Sequence, residues 1–435
     1  MSFSLFSRAA WAAVSLSGVL WTACAESGGG ASAEPVELPR VAAQLRQASS
    51  PPLPRACTQG TDPFLAVLER RVAPGAAFRV LAVSERPLGT VRAQAGGAAL
   101  SILHRPLIQG RPYGVVYQGR APERPGLHAV RLLDDQGRQR ACAQVTVSAP
   151  APGQAQSAPA TGVWRIRRGW HDGWERIFSA WIAHLFRPLP GQPPGWRPLH
   201  RVLRLSVRNL LHNRLGHAED SYASRAKVHA WADCGDTPYQ LRAYFAWKFG
   251  LPFRYSRCSR GSSLRGPRCP ERRNNLTAEF DKIKNPVRRF NAFIRQGLAW
   301  WVHSGTLRTL PEDEGADFYP IKLDRGSIRP GTVFVDVSGH ALMVTQWDHR
   351  GLYAIDGHPD MSVTRRRFSE KHFRYFRGTR TGGFKAFRPV RLDGTSVVPL
   401  GNRALSRFFS LEQYRFTRRR DFYRQMHQLI ATHTG

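Results

Sequence analysis

The chain has 435 residues, of which 42% are hydrophobic and 11% aromatic, so it can bury more than one core and is not a disordered protein. Lys and Arg number 64 against 31 Asp and Glu, a formal charge of +33 carried mostly by arginine. Such a surface draws carboxylate- or phosphate-rich polymers and anionic lipid. Runs such as Arg365–Arg367 and Arg418–Arg420 sit in no nucleic-acid module, so no specific nucleic-acid partner is expected.

A short segment with one positive charge, Met1–Arg8, precedes the apolar run Ala9–Trp21 and a small-x-small site at Ala23-Cys24-Ala25. This order predicts an export signal over 1–25, and the apolar run falls short of the roughly 20 residues a membrane-spanning helix needs. Leu20-Trp21-Thr22-Ala23-Cys24 resembles a lipobox, with Trp21 where leucine is usual. The expected destination is the periplasm, the outer membrane as a lipoprotein, or the medium.

Residues 26–54, rich in Gly, Ala, Ser and Pro, read as a flexible tether. Over 55–150 the short apolar runs FRVLAV, AALSIL, YGVVYQG, GLHAVRLL and CAQVTV alternate with Gly and Pro, which predicts a small β-sandwich. PGLHAVRLLDDQGRQRACAQVTV resembles the last hairpin of bacterial immunoglobulin-like domains. A second linker is expected at 151–163. From 164 to 435, helical patterns at Trp174–Leu185, Val202–His212, after Cys234 and at Pro286–Trp301 lead into a strand-rich region. A basic amphipathic helix at Leu411–Ile430 follows, suited to capping a core or to touching a membrane surface or acidic polymer. The expected fold class is α+β.

An exported chain folds where thiols pair. Cys57 and Cys142 lie near the two ends of the β-domain, and Cys258 and Cys269 close a short Arg-, Gly- and Ser-rich loop, which predicts two disulfides. With Cys24 in the signal region, Cys234 is left without a partner. It stands in Asp233-Cys234-Gly235-Asp236, at the entrance to an amphipathic helical pattern ending near Phe249.

A thiol attacks an amide as thiolate, which calls for a histidine to take its proton and a polar group to orient that histidine. PGTVFVDVSGHALMV and GLYAIDGHPD supply both. His340 opens the second of two predicted strands, Asp356 ends a third, and a turn at Asp348–Gly351 lets the two face each other across a hairpin. Asp356, His358 and Asp360 make no closed ligand set, so neither a metal nor a cofactor is expected. Glu312-Asp313-Glu314 with Asp317 lacks the residue order of a calcium loop.

A cysteine at a helix entrance, then Pro330-Gly331-Thr332-Val333-Phe334 and Gly339-His340-Ala341-Leu342, resembles the papain-like fold. The likeness runs over Tyr222–Asp360 and is similar in particular to the NlpC-type cell-wall peptidases and the transglutaminase-like cysteine peptidases. It implies Cys234 as nucleophile, His340 as general base and then acid, and Asp356 as the orienting group, with His358 and Asp360 as alternatives in the third position. It also implies an oxyanion donor upstream of the nucleophile, where Tyr222 and His229 are the candidates. Pro238 adds a constraint: with Thr237 as N-cap and Pro238 as first helical residue, Cys234 would sit in a turn ahead of the helix. The helix dipole would then help the thiolate less, and His340 more.

These readings predict an exported thiol-dependent amide hydrolase working through an acyl-cysteine, with peptidoglycan peptides or envelope protein as substrate. The same residues would serve a transglutaminase-like acyl transferase. The fold without the chemistry would serve as a non-catalytic binder of envelope polyanions.

Overall fold

The computed structural model describes residues 57 and 60 and residues 62–104, 110–149, 158–189, 195–196, 198–229, 231–262, 265–376 and 378–432. The expected signal, lipobox and tether, and residues 151–157 of the expected linker, lie outside the described residues. Mixed α and β structure is built on antiparallel sheets. No described helix is long and apolar enough to cross a membrane.

The N-terminal strands are β1 (Phe64–Val67), β2 (Ala77–Ser84), β3 (Arg92–Ala95), β4 (Ala98–His104), β5 (Tyr113–Arg120), β6 (Gly126–Leu133) and β7 (Gln139–Val147). They form one sheet in the order β1-β2-β5-β4-β3-β6-β7 rather than the two separate sheets of a sandwich. The reason lies in β4, whose first half, Ala98–Leu100, pairs with β3 while Ser101–His104 pair with β5. Val72 bridges Val147 of β7, so the sheet nearly closes on itself. The disulfide Cys57–Cys142 ties the segment before β1 to β7, with 5.4 Å between the Cα atoms.

Alternate residues of a strand face opposite sides, and on β2 both sides are buried. Phe78, Val80 and Ala82 enter the core of the β-domain, while Leu81 and Val83 join Phe64 and Ala66 of β1 on the far side. That far side packs on helix α1 (Asp172–Leu185), where Phe64 meets the Trp174 ring edge-on at 5.2 Å. The β-domain therefore shares a core with the rest of the chain. Val163, at the end of the expected linker, is fully buried and its N–H donates to the Asn275 carbonyl.

The pattern at Val202–His212 does not form the expected helix. Only Leu199–Leu203 is helical, because Asn209 turns its side chain on local partners, accepting from the Leu211 N–H and donating to the Leu203 carbonyl. A side chain that satisfies the backbone in this way competes with the helical ladder. Leu205 and Val207, apolar members of that pattern, are exposed.

Helix α2 (Asp236–Phe249) follows Cys234 and is buried on every side from Thr237 to Phe249, so it is a central helix and not an amphipathic one. Three of its polar side chains find partners outside the helix. Arg242 stacks on Trp170 and donates to both carboxylate oxygens of Glu175 on α1. Lys248 binds Glu219 and Asp220, and Gln240 Nε2 donates to the Trp231 carbonyl. The Pro286–Trp301 pattern is helical as expected, with π geometry over Phe293–Leu298.

The second seven-stranded sheet draws on β8 (Gly195–Trp196), β11 (Phe318–Pro320), β12 (Val333–Val335), β13 (Ala341–Asp348), β14 (Gly351–Gly357), β15 (Val363–Arg367) and β16 (Gly383–Phe387). Their order is β11-β16-β12-β13-β14-β15-β8. β9 (Arg254–Arg257) with β10 (Glu271–Asn274), and β17 (Val390–Asp393) with β18 (Ser396–Pro399), form two-stranded ladders. One face of the large sheet, through Val333, Met343 and Ile355, joins the core of α1 and α2. The other, through Phe334, Leu342 and Phe384, is covered by Phe422, Tyr423 and Met426 of α3 (Arg419–Ala431). The basic C-terminal helix thus caps the core. It begins at Arg419, after a single turn at Glu412–Tyr414, rather than at Leu411.

Candidate active site

Cys234 is half-buried and free, as the arithmetic of the cysteines predicts, since Cys258 and Cys269 are also bonded. The turn that carries it is capped by Asp233, whose Oδ1 accepts from the N–H groups of Gly235 at 2.7 Å and Asp236 at 3.0 Å. The Thr237 N–H returns to the Asp233 carbonyl at 3.0 Å. Thr237 is therefore not the cap, and Pro238 is the third residue of α2 rather than its first. It still lies in the first helical turn, where N–H groups have no intrahelical acceptor to lose. A carboxylate at this end of the helix is also favoured by the helix dipole.

Two glycines bring other segments hard against this turn. A Cβ on Gly235 would lie 2.5 Å from the Ser304 nitrogen and 2.7 Å from the His303 carbonyl carbon. A Cβ on Gly357, at the end of β14, would lie 2.8 Å from the Asp233 carbonyl oxygen. The thiol-bearing turn is thus held between the end of β14 and the His303–Ser304 segment, backbone on backbone.

His340 reaches the site from the five-residue turn between β12 and β13. The Asp336 N–H donates to the His340 carbonyl, and Gly339 takes a φ of +99° that side-chain-bearing residues rarely adopt. Arg374 secures the turn by donating to Asp336 Oδ2 at 2.6 Å and to the Ser338 hydroxyl. From this position His340 comes close enough to Cys234 for the thiol to act on its charge, and its Nε2 stands 2.9 Å from Asp356 Oδ1 on β14. Asp356 Oδ1 accepts no hydrogen bond of good geometry, so at this distance the two meet as an ion pair when the imidazole is protonated. The Asp356 contact first, and the Cys234 contact second, push the imidazole up to about 10, outweighing partial burial.

Asp356 is buried, which by itself disfavours its charge, yet it is held below the usual carboxylate range by His340, His358 and Arg366. Arg366 Nε lies 3.3 Å from Oδ2 and His358 Nε2 3.6 Å from the same oxygen. His358 also shares a 2.7 Å hydrogen bond with the Thr364 hydroxyl. It backs the carboxylate rather than replacing it. Asp360 accepts from the Ser362 N–H and hydroxyl in an exposed turn, and no contact joins it to His340.

The two upstream oxyanion candidates are engaged elsewhere. The Tyr222 hydroxyl accepts from Arg288 at 2.9 Å, and His229 Nδ1 meets His200 Nε2 at 3.0 Å. Asp317, in the acidic stretch, is fully committed to the Tyr239 hydroxyl and to both the N–H and hydroxyl of Ser256.

Ser304 is the residue that the sequence did not single out. Its nitrogen faces Gly235, next to Cys234, and its hydroxyl would lie 3.3 Å from a Cβ on Gly339, next to His340. It is fixed by a capping box in which His303 Nδ1 accepts from Gly305 and the Thr306 hydroxyl accepts from the His303 N–H. The other His303 nitrogen meets the Cys258 carbonyl at 2.9 Å. Buried Lys385 on β16 holds the far end of the same segment by donating to the Leu307 and Thr309 carbonyls. The string His-Ser-Gly-Thr carries the cap signature, but nothing in it points to the thiol.

No protein-family model matches the chain, and no curated protein does. Among solved structures, 20% of the chain aligns with 12% of a polysaccharide lyase at 16% identity and a TM-score of 0.16. Another 20% alignment, at 25% identity and a TM-score of 0.13, covers 96% of a chain in a Titin M10–Obscurin like 1 Ig complex. At these scores neither likeness carries an argument.

Proposed function

We propose that the protein is a thiol-dependent amide hydrolase of papain-like fold, exported and acting on peptidoglycan peptides or envelope protein. The observation that carries this reading is the chain of contacts from Cys234 through His340 to Asp356. With Nε2 given to the carboxylate, Nδ1 is the ring nitrogen left for the thiol. The sulfur attacks the scissile carbonyl as thiolate, with its proton already on His340, and Asp356 stabilises that imidazolium. The tetrahedral oxyanion would meet the Cys234 N–H and the Ser304 hydroxyl. Collapse breaks the C–N bond, His340 returns the proton to the leaving amine, and an acyl-cysteine remains. Water, deprotonated by His340, then cleaves the thioester, releasing the acid and restoring the thiol.

An acid as the third group is more similar to the transglutaminase-like peptidases, which supports a second reading in which an amine replaces that water. The two disulfides and the arginine-rich surface support an envelope location and an anionic setting. The test is labelling with an electrophilic thiol probe. Wild type should label rapidly, Cys234→Ala not at all and His340→Ala slowly; equal, slow labelling of wild type and His340→Ala would sink the proposal. Turnover of purified wall fragments against amine incorporation then separates hydrolysis from transfer.

A further inference from the structure

We infer that the face beside the thiol, made by the Cys258–Cys269 loop and two exposed tryptophans, docks a carboxylate-bearing glycan strand; this rests on the reading of Cys234 as the thiol that cleaves the attached amides. The loop is joined to the site by direct contacts. The Cys258 carbonyl meets His303 at 2.9 Å, the Ser262 carbonyl accepts from Arg308, and a Cβ on Gly305 would lie 3.1 Å from the Arg260 carbonyl. His303 and Ser304 in turn abut Gly235, so one continuous surface runs from the loop to Cys234.

Charge on this surface is unbalanced. Arg257 and Arg273 are paired with Glu271 and Glu279. Arg260, Arg265 and Arg268 are exposed on the loop, and no carboxylate among the described residues lies within ion-pair distance of them. Two exposed indoles stand three residues along the chain from His303 and Cys234. Trp300 is 81% exposed and Trp231, three residues before Cys234, is 56% exposed. Arg295 links them, since it shares a helical segment with Trp300 and its guanidinium lies 5.6 Å from the Trp231 ring.

Large apolar side chains left in water beside a reactive group mark a contact surface. An indole face accepts the C–H face of a pyranose ring, and guanidinium groups pair with its carboxylates and hydroxyls. Bases of a nucleic acid would also stack here, but two disulfides favour an oxidising compartment, away from standing nucleic-acid partners. A glycan that bears peptides would hold its amides next to Cys234.

The experiment uses the full chain with Cys234→Ala, so that binding is read apart from turnover, and a polygalacturonate oligomer as probe. A dextran oligomer of equal length, single-stranded DNA and anionic phospholipid vesicles are the comparisons. The oligouronate should bind more tightly than dextran, with affinity falling as salt rises. R260E/R265E/R268E and W231A/W300A should each weaken it tenfold or more. The same variants with Cys234 intact should keep the wild-type rate of thiol labelling, which shows that the site is folded. Equal oligouronate affinity in wild type and variants overturns the inference, as does tighter binding of DNA or vesicles through these residues. If labelling of wild type fails while the oligouronate still binds through them, the docking surface stands and the amide chemistry falls.

Discussion

His340 Nε2 stands 2.9 Å from Asp356 Oδ1, joining the residue just before β13 to the penultimate residue of the neighbouring antiparallel strand. The pairing has a linkage consequence. The folded imidazole is raised from its ordinary 6.5 to about 10, so the protonated form binds its proton more tightly in the folded chain. That stability is fully present below about pH 6.5 and is lost as pH rises through about 10. Asp356→Asn removes the largest cause of the shift. We expect the alkaline limb of the pH–rate profile to move to lower pH, the alkaline loss of stability from this group to shrink, and turnover to fall by about 100-fold. An unchanged alkaline limb in the variant would show that Asp356 does not act on His340.

Gly235→Ala places a methyl group 2.5 Å from the Ser304 nitrogen, and neither backbone can give way because His303 is bonded on both ring nitrogens. Overpacking of this kind costs about 1–3 kcal/mol. Thermal unfolding should show a lower Tm, and probe labelling of Cys234 should slow because the turn shifts. Gly169→Ala is a suitable control, since a Cβ there meets nothing within 4 Å and the backbone is not in the left-handed region.

Ser304→Ala tests whether the hydroxyl contacts the reaction. Loss of one oxyanion donor costs about 100- to 1,000-fold in kcat. The prediction is a fall in kcat with KM and the pH profile unchanged, and partial recovery in Ser304→Thr. A proportional change in KM alone would assign Ser304 to substrate binding instead.

Phe64→Ala should destabilise the whole molecule by about 3–5 kcal/mol, because Phe64 packs on Trp174 and His171 across the shared core. Near-ultraviolet circular dichroism and labelling of Cys234 should report one transition, not two. Separate melting of a β-domain would show that the shared core does not couple the two regions.

What could be read from the residues was governed by local signals. Cys234 emerged because the other cysteines have plausible partners at fixed places, and His340 and Asp356 because each ends or begins a strand with a clear apolar pattern. The segment Phe64–Val67 was missed because all four residues are buried, and a continuous apolar run lacks the alternation that marks a strand with one wet face. Helix α2 looks amphipathic in sequence for the related reason that Arg242 and Lys248 suggest a wet face until Glu175, Glu219 and Asp220 arrive from distant parts of the chain. Ser304 left no local trace at all: its place is set by what two glycines lack.

The His303 contact to the Cys258 carbonyl bears on how the protein is handled at the bench. A reductant added to keep the Cys234 sulfur unoxidised also acts on Cys258–Cys269, the bond that closes the loop bearing that carbonyl. Protecting the Cys234 thiol would thereby loosen the strut beside it. Preparations kept under strong dithiol and under mild monothiol conditions are then different specimens, and rates from one should not be pooled with rates from the other.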